Sequence, residues 1–248
     1  MTDEATLRSA DLQVLGRLPD SSNNALLCSV PGPEGPVRVV YKPQAGEQPL
    51  WDFPSGTLSR REKAAAVLDE VLGFGQVPVT VWREDGPAGP GMVQQWVEGS
   101  IDLALFPPGE VAQGWVGIVD AETRDGPVAV AHRVDLATAK MAVFDVIANN
   151  ADRKGGHLLR TSEGLFGIDH GVTFHEEPKL RTVLWGFIGA SIPQELLAAV
   201  DSADFDQLGD WLTADEVAAT RQRAQDLLHA RVFPAPGPGW PSLPWPLI

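Results

Sequence analysis

The sequence predicts an α+β protein in which a small antiparallel sheet with one helix precedes a mainly helical second half. Two observations lead to this prediction. Residues 12–43 hold three runs of strand-forming residues separated by turn-forming Pro, Gly, Ser and Asn. Apolar residues then recur at helical spacing in residues 59–75, and again over much of the chain after residue 134. With 248 residues, the chain is long enough to bury a sizeable core as one large domain or two lobes.

The net charge of −14 argues against two classes of partner. Nucleic-acid backbones and acidic lipids are bound by clustered Lys and Arg, and the sequence has no dense basic run. We therefore expect no nucleic acid partner and no stable membrane association. Residues 1–13 lack the charge and apolar pattern of a secretion signal, which predicts a cytoplasmic protein. The abundant Ala, Gly, Pro and Val, with more Arg than Lys, suggest a GC-rich bacterial genome.

The first half is predicted to contain five strands and one helix. The single cysteine, Cys28, lies in an apolar strand and is expected to be a buried thiol. The helix is expected to begin at Ser59 and to stop at the glycines that follow. The predicted strands cover residues 12–18, 25–30, 37–43, 77–85 and 92–99, and the last of these is expected to leave the sheet.

The second half is predicted to be helical except for two short strands. Residues 100–133 show only weak periodicity and are interpreted as an extended connector. Helices are expected over residues 134–148, 193–200 and 213–232, the last opening with Thr213 and Glu216 in capping-box spacing. Short strands are expected over residues 157–160 and 165–169.

The predicted organisation has three parts. Residues 1–97 form the sheet-bearing half, residues 98–233 form the helical half, and residues 234–248 form a tail rich in Pro and Trp. The tail is interpreted as an extended strap whose Trp240 and Trp245 pack on the surface, although a proline-rich ligand for a partner is an alternative.

The stretch Ala148–Leu159, ANNADRKGGHLL, carries the clearest chemical signal, together with IDHG at residues 168–171. A helix ending in two asparagines delivers Asp152 onto a loop that two glycines allow to turn, and His157 follows five residues after Asp152. Asp169 then closes a short strand. Such a set suits phosphoryl transfer, in which one carboxylate orients a hydroxyl and further ligands hold a divalent ion against phosphates.

These motifs resemble the phosphatidylinositol 3- and 4-kinase-like branch of the protein-kinase-like fold, which includes bacterial HipA-type kinases. NNADRKGGH is similar to its Asn-x-Asp-Arg-x-x-x-Asn catalytic loop, and GIDHGVTF to its Ile-Asp-x-Gly-x-x-Phe pattern. The resemblance implies a two-lobed fold, with the small sheet and its helix in the N-lobe and a mainly helical C-lobe. It covers about residues 12–175.

The resemblance also assigns roles. Asp152 and Arg153 become catalytic, with Arg153 either anchoring the loop or touching the transferred phosphoryl group, and Asp169 and His157 become metal ligands. Lys42 becomes the phosphate-binding lysine and Glu62 its ion-pair partner. The implied cofactors are ATP and Mg²⁺ or Mn²⁺, and the implied partners are ATP and an unknown acceptor. The remaining nucleotide-binding positions are Ser21, Ser22 and Asn23 in the loop over the phosphates, and Gln95 and Val97 at the adenine.

Several of these residues have an alternative interpretation. Glu62 and Ser59 also match a capping box, His157 and His170 are compatible with structural packing, and Asp145 is either a solvent-facing residue or a brace for the loop. His157 replaces the Asn usual in the family, and imidazole suits Mn²⁺ or Zn²⁺ better than Mg²⁺.

The expected function is phosphoryl transfer from ATP to a small-molecule or protein hydroxyl, although nucleotidyl transfer to a protein stays open. A kinase-like pseudoenzyme that binds nucleotide without efficient turnover is the first alternative. A metal-dependent hydrolase using the carboxylates with His157, His170 and His175 is a weaker one.

Overall fold

The computed structural model of the protein describes residues 3–19, 23–238 and 241–248, so Ser21, Ser22 and Trp240 lie outside the described residues. Helices and antiparallel sheets are mixed along the chain. None of the described helices has the length and apolar character needed to cross a membrane.

The predicted sheet of the first half is present. Its strands are β1 (Gln13–Arg17), β2 (Leu26–Val30), β3 (Val37–Pro43), β4 (Thr80–Gly86) and β5 (Gly89–Gln95). All neighbours are antiparallel and the order is β1-β2-β3-β5-β4. The expectation that the fifth strand leaves the sheet is therefore wrong, because β5 pairs with both β3 and β4. Cys28 is buried in β2, as predicted.

Two helices accompany this sheet, α1 (Glu4–Ser9) and α2 (Leu58–Leu72). No sequence pattern predicted α1, which is a short helix capped by the Asp3 side chain. The second helix begins one residue before the predicted start. It buries Ala64, Ala65 and Leu68 in the main core of the protein.

Residues 100–133 are not an extended connector, and that prediction is wrong. They form β6 (Ser100–Ile101), β7 (Leu103–Phe106), β8 (Trp115–Thr123) and β9 (Gly126–Arg133). The last three make an antiparallel sheet in the order β7-β9-β8. A bulge between Gly117 and Val119 interrupts the alternation of β8, and few residues of β8 are buried, so the period-two signal is weak.

The helices predicted for the second half are present as α3 (Leu136–Ala148), α4 (Gln194–Asp201) and α5 (Ala214–Ala230). The capping box of Thr213 and Glu216 is confirmed. Two short strands, β10 (Leu158–Arg160) and β11 (Leu165–Gly167), form a hairpin that pairs with β6. The main core joins α2, α3, α4 and α5 beneath this hairpin.

The described residues of the tail form no helix or strand, and their packing differs from the prediction. The Trp245 side chain is 82% exposed, so the prediction that it packs on the surface is wrong. Leu247 packs against the main core instead. A buried Leu side chain needs no hydrogen-bond partner, whereas the N–H of a buried indole does. Burying Leu247 is therefore less costly than burying Trp245.

The loop that follows α2 is held by a buried carboxylate. Both oxygens of Asp69 lie 3.0 Å from the backbone nitrogen of Gln76, which donates to them. Burial raises the pKa of Asp69 to about 6, although backbone N–H groups of the loop act in the opposite direction.

We expect the free energy of unfolding of the wild type to fall relative to that of Asp69→Asn as the pH rises from 4.5 to 7.5. The folded-state pKa of Asp69, about 6, is above the usual Asp value of 3.8, so in this range the folded protein retains a proton that the unfolded chain has released. The contribution of Asp69 to the free energy of unfolding is present at low pH and is lost as the pH rises through about 6. Between pH 4.5 and 7.5 the change is about 2 kcal/mol, because about 1.5 pH units separate pH 4.5 from the folded-state pKa and each unit contributes about 1.4 kcal/mol.

Urea denaturation at four pH values measures this difference, with the exposed Asp11→Asn as the matched control. A pH-independent gap between wild type and Asp69→Asn would contradict the prediction.

Candidate functional site

The ammonium group of Lys42 lies where three separate parts of the chain meet. Lys42 belongs to β3, and its Nζ contacts a carboxylate oxygen of Glu62 in α2. The same Nζ is 2.7 Å from Oδ1 of Asp169, which follows β11. Two predicted nucleotide-binding residues and one predicted metal ligand are therefore in direct contact.

The charges of this cluster depend on one another. Burial alone would lower the pKa of Lys42, but the carboxylates of Asp169 and Glu62 outweigh burial and raise the Lys42 pKa above its usual range. The Lys42 ammonium in turn lowers the pKa of Asp169 well below its usual range. Burial raises the pKa of Glu62 even though Lys42 opposes the shift. The arrangement therefore keeps an ammonium charged in a site from which water is largely excluded.

The structure separates the two interpretations of Glu62. The capping box with Ser59 does not form. Instead, the Glu47 carboxylate accepts from the backbone N–H groups of Leu58 and Ser59, at 3.0 and 2.7 Å, and so caps α2. This leaves Glu62 free to reach Lys42 with one oxygen and to accept from the backbone N–H of His170, at 3.0 Å, with the other.

Asp169 sits in a left-handed backbone conformation, with φ 59°, just beyond the end of β11. This conformation turns the chain sharply, and Asp is among the non-glycine residues that tolerate it best. Oδ2 of Asp169 is 3.3 Å from Nε2 of His157, so each carboxylate oxygen has its own partner. The side chain is 48% exposed, whereas that of Glu62 is buried.

His157 is nearly buried and faces Asp169 through Nε2. Burial lowers the pKa of His157, and the Asp169 carboxylate opposes this shift without cancelling it. The backbone N–H of Lys154 points towards Nδ1 at 3.5 Å, a contact too long to fix which ring nitrogen carries the proton. The ring is therefore neutral near pH 7, the state in which imidazole binds metals.

The loop after α3 is shaped by its two asparagines. Asn149 ends the helix in a left-handed conformation, and its side chain bonds the backbone of His175, Glu177 and Lys179. Oδ1 of Asn150 accepts from the backbone N–H of Asp152 at 3.0 Å. The asparagines that follow the apolar helix in the sequence therefore tie the loop to the chain on both sides.

Arg153 is fully buried and holds this loop from beneath. Its guanidinium donates to both oxygens of Asp145 at 2.9 to 3.1 Å, and also to the carbonyl of Ile168 at 2.9 Å. Thr182 and Asn150 also donate to Asp145, at 3.1 Å each. Of the two alternatives for Arg153, this geometry favours anchoring, because a guanidinium without exposed surface cannot touch a phosphoryl group. Asp145 is correspondingly a brace and not a solvent-facing residue.

The Asp152 carboxylate lies between two cations. Nζ of Lys154 is 3.0 Å from one oxygen, and Nη2 of Arg181 is 3.4 Å from the other. The Asp152 charge is also close enough to His157 to raise the pKa of that ring slightly against the effect of burial. The sequence analysis did not single out Lys154 or Arg181. Lys154 is visible in the motif, whereas Arg181 carries no signal because it is far from Asp152 in sequence.

The predicted adenine-binding residues line two adjoining cavities. A cavity of about 440 Å³ is enclosed by Val40, Gln95, Val97, Leu159 and Ile168 together with neighbouring residues. Val40 lies on the same face of β3 as Lys42 because side chains alternate along a strand, and Ile168 immediately precedes Asp169. A second cavity of about 660 Å³ shares Gln95 and Val97 and extends to Phe166.

Other predicted positions have contacts away from the Lys42 cluster or lie outside the described residues. Ser21 and Ser22 lie outside the described residues, and Asn23 uses its side-chain oxygen to accept from the backbone N–H of Gln48 at 3.0 Å. His170 is buried against Phe144, with ring centroids 5.3 Å apart, as the packing interpretation holds. His175 packs against Phe53. Across the described part of the chain, no three His, Cys, Asp or Glu side chains are grouped to hold a metal by themselves.

Comparisons with known proteins find similarity to a protein sequence and to a solved structure. The chain is 42% identical over 265 residues to the Mycobacterium tuberculosis protein Rv2133c, covering 98% of this chain and 95% of that protein. A crystal structure of the Helicobacter pylori proinflammatory kinase CtkA superposes with a TM-score of 0.48 at 11% identity, covering 92% of this chain and 94% of that one. No protein-family model matches the sequence.

We expect Asp145→Asn to lower the free energy of unfolding by about 3–5 kcal/mol, because it leaves the buried Arg153 guanidinium without its counter-charge. The control is Asp206→Asn, which breaks the exposed pair with Arg221 and should cost less than about 1 kcal/mol. Urea denaturation of both variants measures the difference. Equal losses would show that Asp145 is not a brace.

Proposed function

The chain belongs to one family with the Mycobacterium tuberculosis protein Rv2133c, and we propose that it is an ATP-dependent phosphotransferase acting on a hydroxyl group. In this proposal residues 1–97 form the nucleotide-binding lobe, residues 98–233 form the catalytic lobe, and residues 234–248 form the tail. The supporting observation is the contact of Lys42 with both Glu62 and Asp169, beside His157 and a cavity large enough for a base.

The nucleotide base is placed in the 440 Å³ cavity, between Val40 on one side and Leu159 and Ile168 on the other. These apolar side chains offer contact to the faces of an adenine, while Val97 offers main-chain groups at its edge. Gln95 lines the same cavity, although its backbone N–H donates to the carbonyl of Val79 at 2.9 Å. No hydrogen bond to another described residue involves the Val97 backbone. Since Val40 and Lys42 share a face of β3, a base beside Val40 directs the phosphates towards the Lys42 ammonium.

Asp169 and His157 suit a divalent ion bridging the phosphates. Two protein ligands are too few to hold Mg²⁺ or Mn²⁺ alone, and the phosphate oxygens would complete the coordination. This fits the lack of a self-sufficient metal cluster among the described residues. It also disfavours the metal-dependent hydrolase, because the rings of His170 and His175 pack against Phe144 and Phe53, and neither belongs to a group of three potential metal ligands among the described residues.

Asp152 is assigned the role of orienting the acceptor hydroxyl and taking its proton late in the transfer. Asn150 and the buried pair of Arg153 with Asp145 hold the loop that carries it. Lys154 lies beside Asp152 and is placed to stabilise negative charge on the transferred phosphoryl group. Arg153 thus acts on catalysis through the position of the loop.

The acceptor is proposed to be a small molecule or a protein, in keeping with the acidic chain. A net charge of −14 repels an anionic membrane, so an inositol lipid is a poor match for the molecule as a whole.

A nucleotide-binding pseudoenzyme is the second candidate, and one observation favours it. Both Asp169 oxygens are already engaged, by Lys42 and His157, and a metal ion would have to displace or share one of these contacts. The segment between Pro19 and Val30 also lacks glycine, which loops over phosphates commonly use for close backbone approach.

We expect Asp152→Asn to lower the rate of ADP release from ATP by about 100-fold or more, because the amide cannot accept the proton. The dissociation constant for ATP with Mn²⁺ should change by less than about threefold, since Asp152 does not contact the nucleotide in this proposal. Asp125→Asn, at an exposed turn, is the matched control.

Calorimetric ATP binding and a coupled ADP assay give the two readouts. ATP binding without turnover in the wild type would favour the pseudoenzyme, and normal turnover in Asp152→Asn would remove Asp152 from its role.

We expect the wild type to be more active with Mn²⁺ than with Mg²⁺, and His157→Asn to reduce that ratio by about 10-fold. Replacing imidazole by a carboxamide exchanges a borderline ligand for a hard oxygen, which suits Mg²⁺. Steady-state ADP release at saturating concentrations of each metal measures the ratio, with the exposed His229→Asn as control. An unchanged ratio would mean that His157 does not bind the ion.

A further inference from the structure

The segment 241–248 contacts the loop that carries Asp152 and His157. The backbone N–H of Gly155 donates to the carbonyl of Leu247 at 2.7 Å. Gly155 lies between Asp152 and His157 in sequence, so this bond is made at the middle of the loop. A proline-rich tail that merely covered the surface would not need a hydrogen bond at this position.

Gly155 is enclosed from two sides at this contact. A Cβ atom on Gly155 would lie 2.2 Å from Cδ1 of Leu103 and 3.3 Å from the carbonyl oxygen of Leu247. The loop backbone is therefore held between β7 and the segment 241–248, and only glycine fits there without displacement. The Leu103 and Leu247 side chains both pack against the main core, which gives the two sides of this slot a fixed position.

The other end of the segment bonds to the brace of the loop. The carbonyl of Ser242 accepts from the backbone N–H of Thr182 at 3.2 Å and from Nε1 of Trp185 at 2.8 Å. Thr182 also donates through its hydroxyl to Asp145, the partner of Arg153. The segment therefore spans from the brace beneath the loop to the middle of the loop itself.

We propose that residues 241–248 are a positioning element for the catalytic loop and that Leu247 is the residue through which they act. The inference rests on the proposed phosphotransferase function. Arg153 and Asn150 hold the first half of the loop, which carries Asp152, whereas Leu247 holds the second half, which carries Lys154 and His157. Without Leu247, the cation beside Asp152 and the imidazole beside Asp169 lose their common support.

The effect should fall on turnover and not on nucleotide binding. Among the described residues, no hydrogen bond joins the segment to the cavity of Val40, Gln95 and Val97 or to the Lys42 cluster. A displacement of catalytic groups by about 1 Å is enough to cost about 100-fold in rate. A blocking role would have the opposite sign, because removing the contact would then raise turnover.

The experiment compares Leu247→Ala with Trp245→Ala in the full chain. Trp245 is 82% exposed and serves as the matched control from the same segment. Leu247→Ala should lower kcat for ADP release by about 10-fold or more and change KM for ATP by less than about threefold. Hydrogen exchange at the Gly155 amide should become faster in Leu247→Ala and stay unchanged in Trp245→Ala.

A second variant guards against simple unfolding of Leu247→Ala. Gly155→Ala pushes the loop away from Leu103 without altering the segment, and should lower kcat in the same way. Combining it with Leu103→Ala removes the clashing atoms and should restore part of the lost kcat. Thermal unfolding of each variant shows whether it is folded at the assay temperature.

The outcomes separate the inference from the function on which it rests. Unchanged Gly155 exchange in Leu247→Ala overturns the inference, and so does a rise in turnover. An equal fall of kcat in Trp245→Ala overturns it as well. A wild type that neither binds nor consumes ATP contradicts the phosphotransferase, while exchange at Gly155 still shows whether Leu247 holds the loop.

Discussion

The ammonium group of Lys42 is the point on which the geometry of the site depends. An ammonium that is largely removed from water is expensive unless opposite charges surround it, and here Glu62 and Asp169 supply them. The three residues come from β3, from α2 and from the turn after β11, which are distant in sequence. Satisfying one buried cation therefore sets the distance between the five-stranded sheet and the loops of the second half.

A second buried cation performs the same task on the other side of the site. Arg153 is paired with Asp145, and Asp145 also accepts from Asn150 and Thr182. The Lys42 cluster joins different parts of the chain, whereas the Arg153 pair joins a helix to the loop that leaves it. Together they place Asp152 on a loop whose backbone has few ways to move. The chain has a net charge of −14, so its carboxylates outnumber its cationic side chains. Lys42 and Arg153 are both paired with carboxylates.

Much of this could be predicted from the sequence where the signal is local. Periodicity predicted α2, α3 and α5 with small errors at their ends, and the spacing of Asp152, His157 and Asp169 predicted a shared neighbourhood.

Other features left no local signal. The alternation in residues 100–133 was hidden by the bulge near Gly117, and the place of β5 inside the sheet follows from strand pairing, which alternation does not encode. Arg181 and Leu247 reach the loop from distant segments through contacts that leave no pattern in the sequence. A capping box and an ion pair with Lys42 both predict Glu at position 62. The structure separates these two interpretations, because Glu47 and not Glu62 caps α2.

The two oxygens of Asp169 have different partners. Oδ1 faces Lys42 and Oδ2 faces His157, so the two contacts lie on different sides of the group. In the proposed phosphotransferase, an ion held by Oδ2 and the imidazole would replace the contact with His157 and leave the contact with Lys42 in place, where Glu62 would continue to balance the ammonium. The half-exposed Asp169 side chain supplies the access that the buried Glu62 lacks. The two carboxylates of the cluster therefore differ in exposure. The buried Glu62 contacts Lys42, whereas the half-exposed Asp169 contacts Lys42 and is also accessible to a bound ligand.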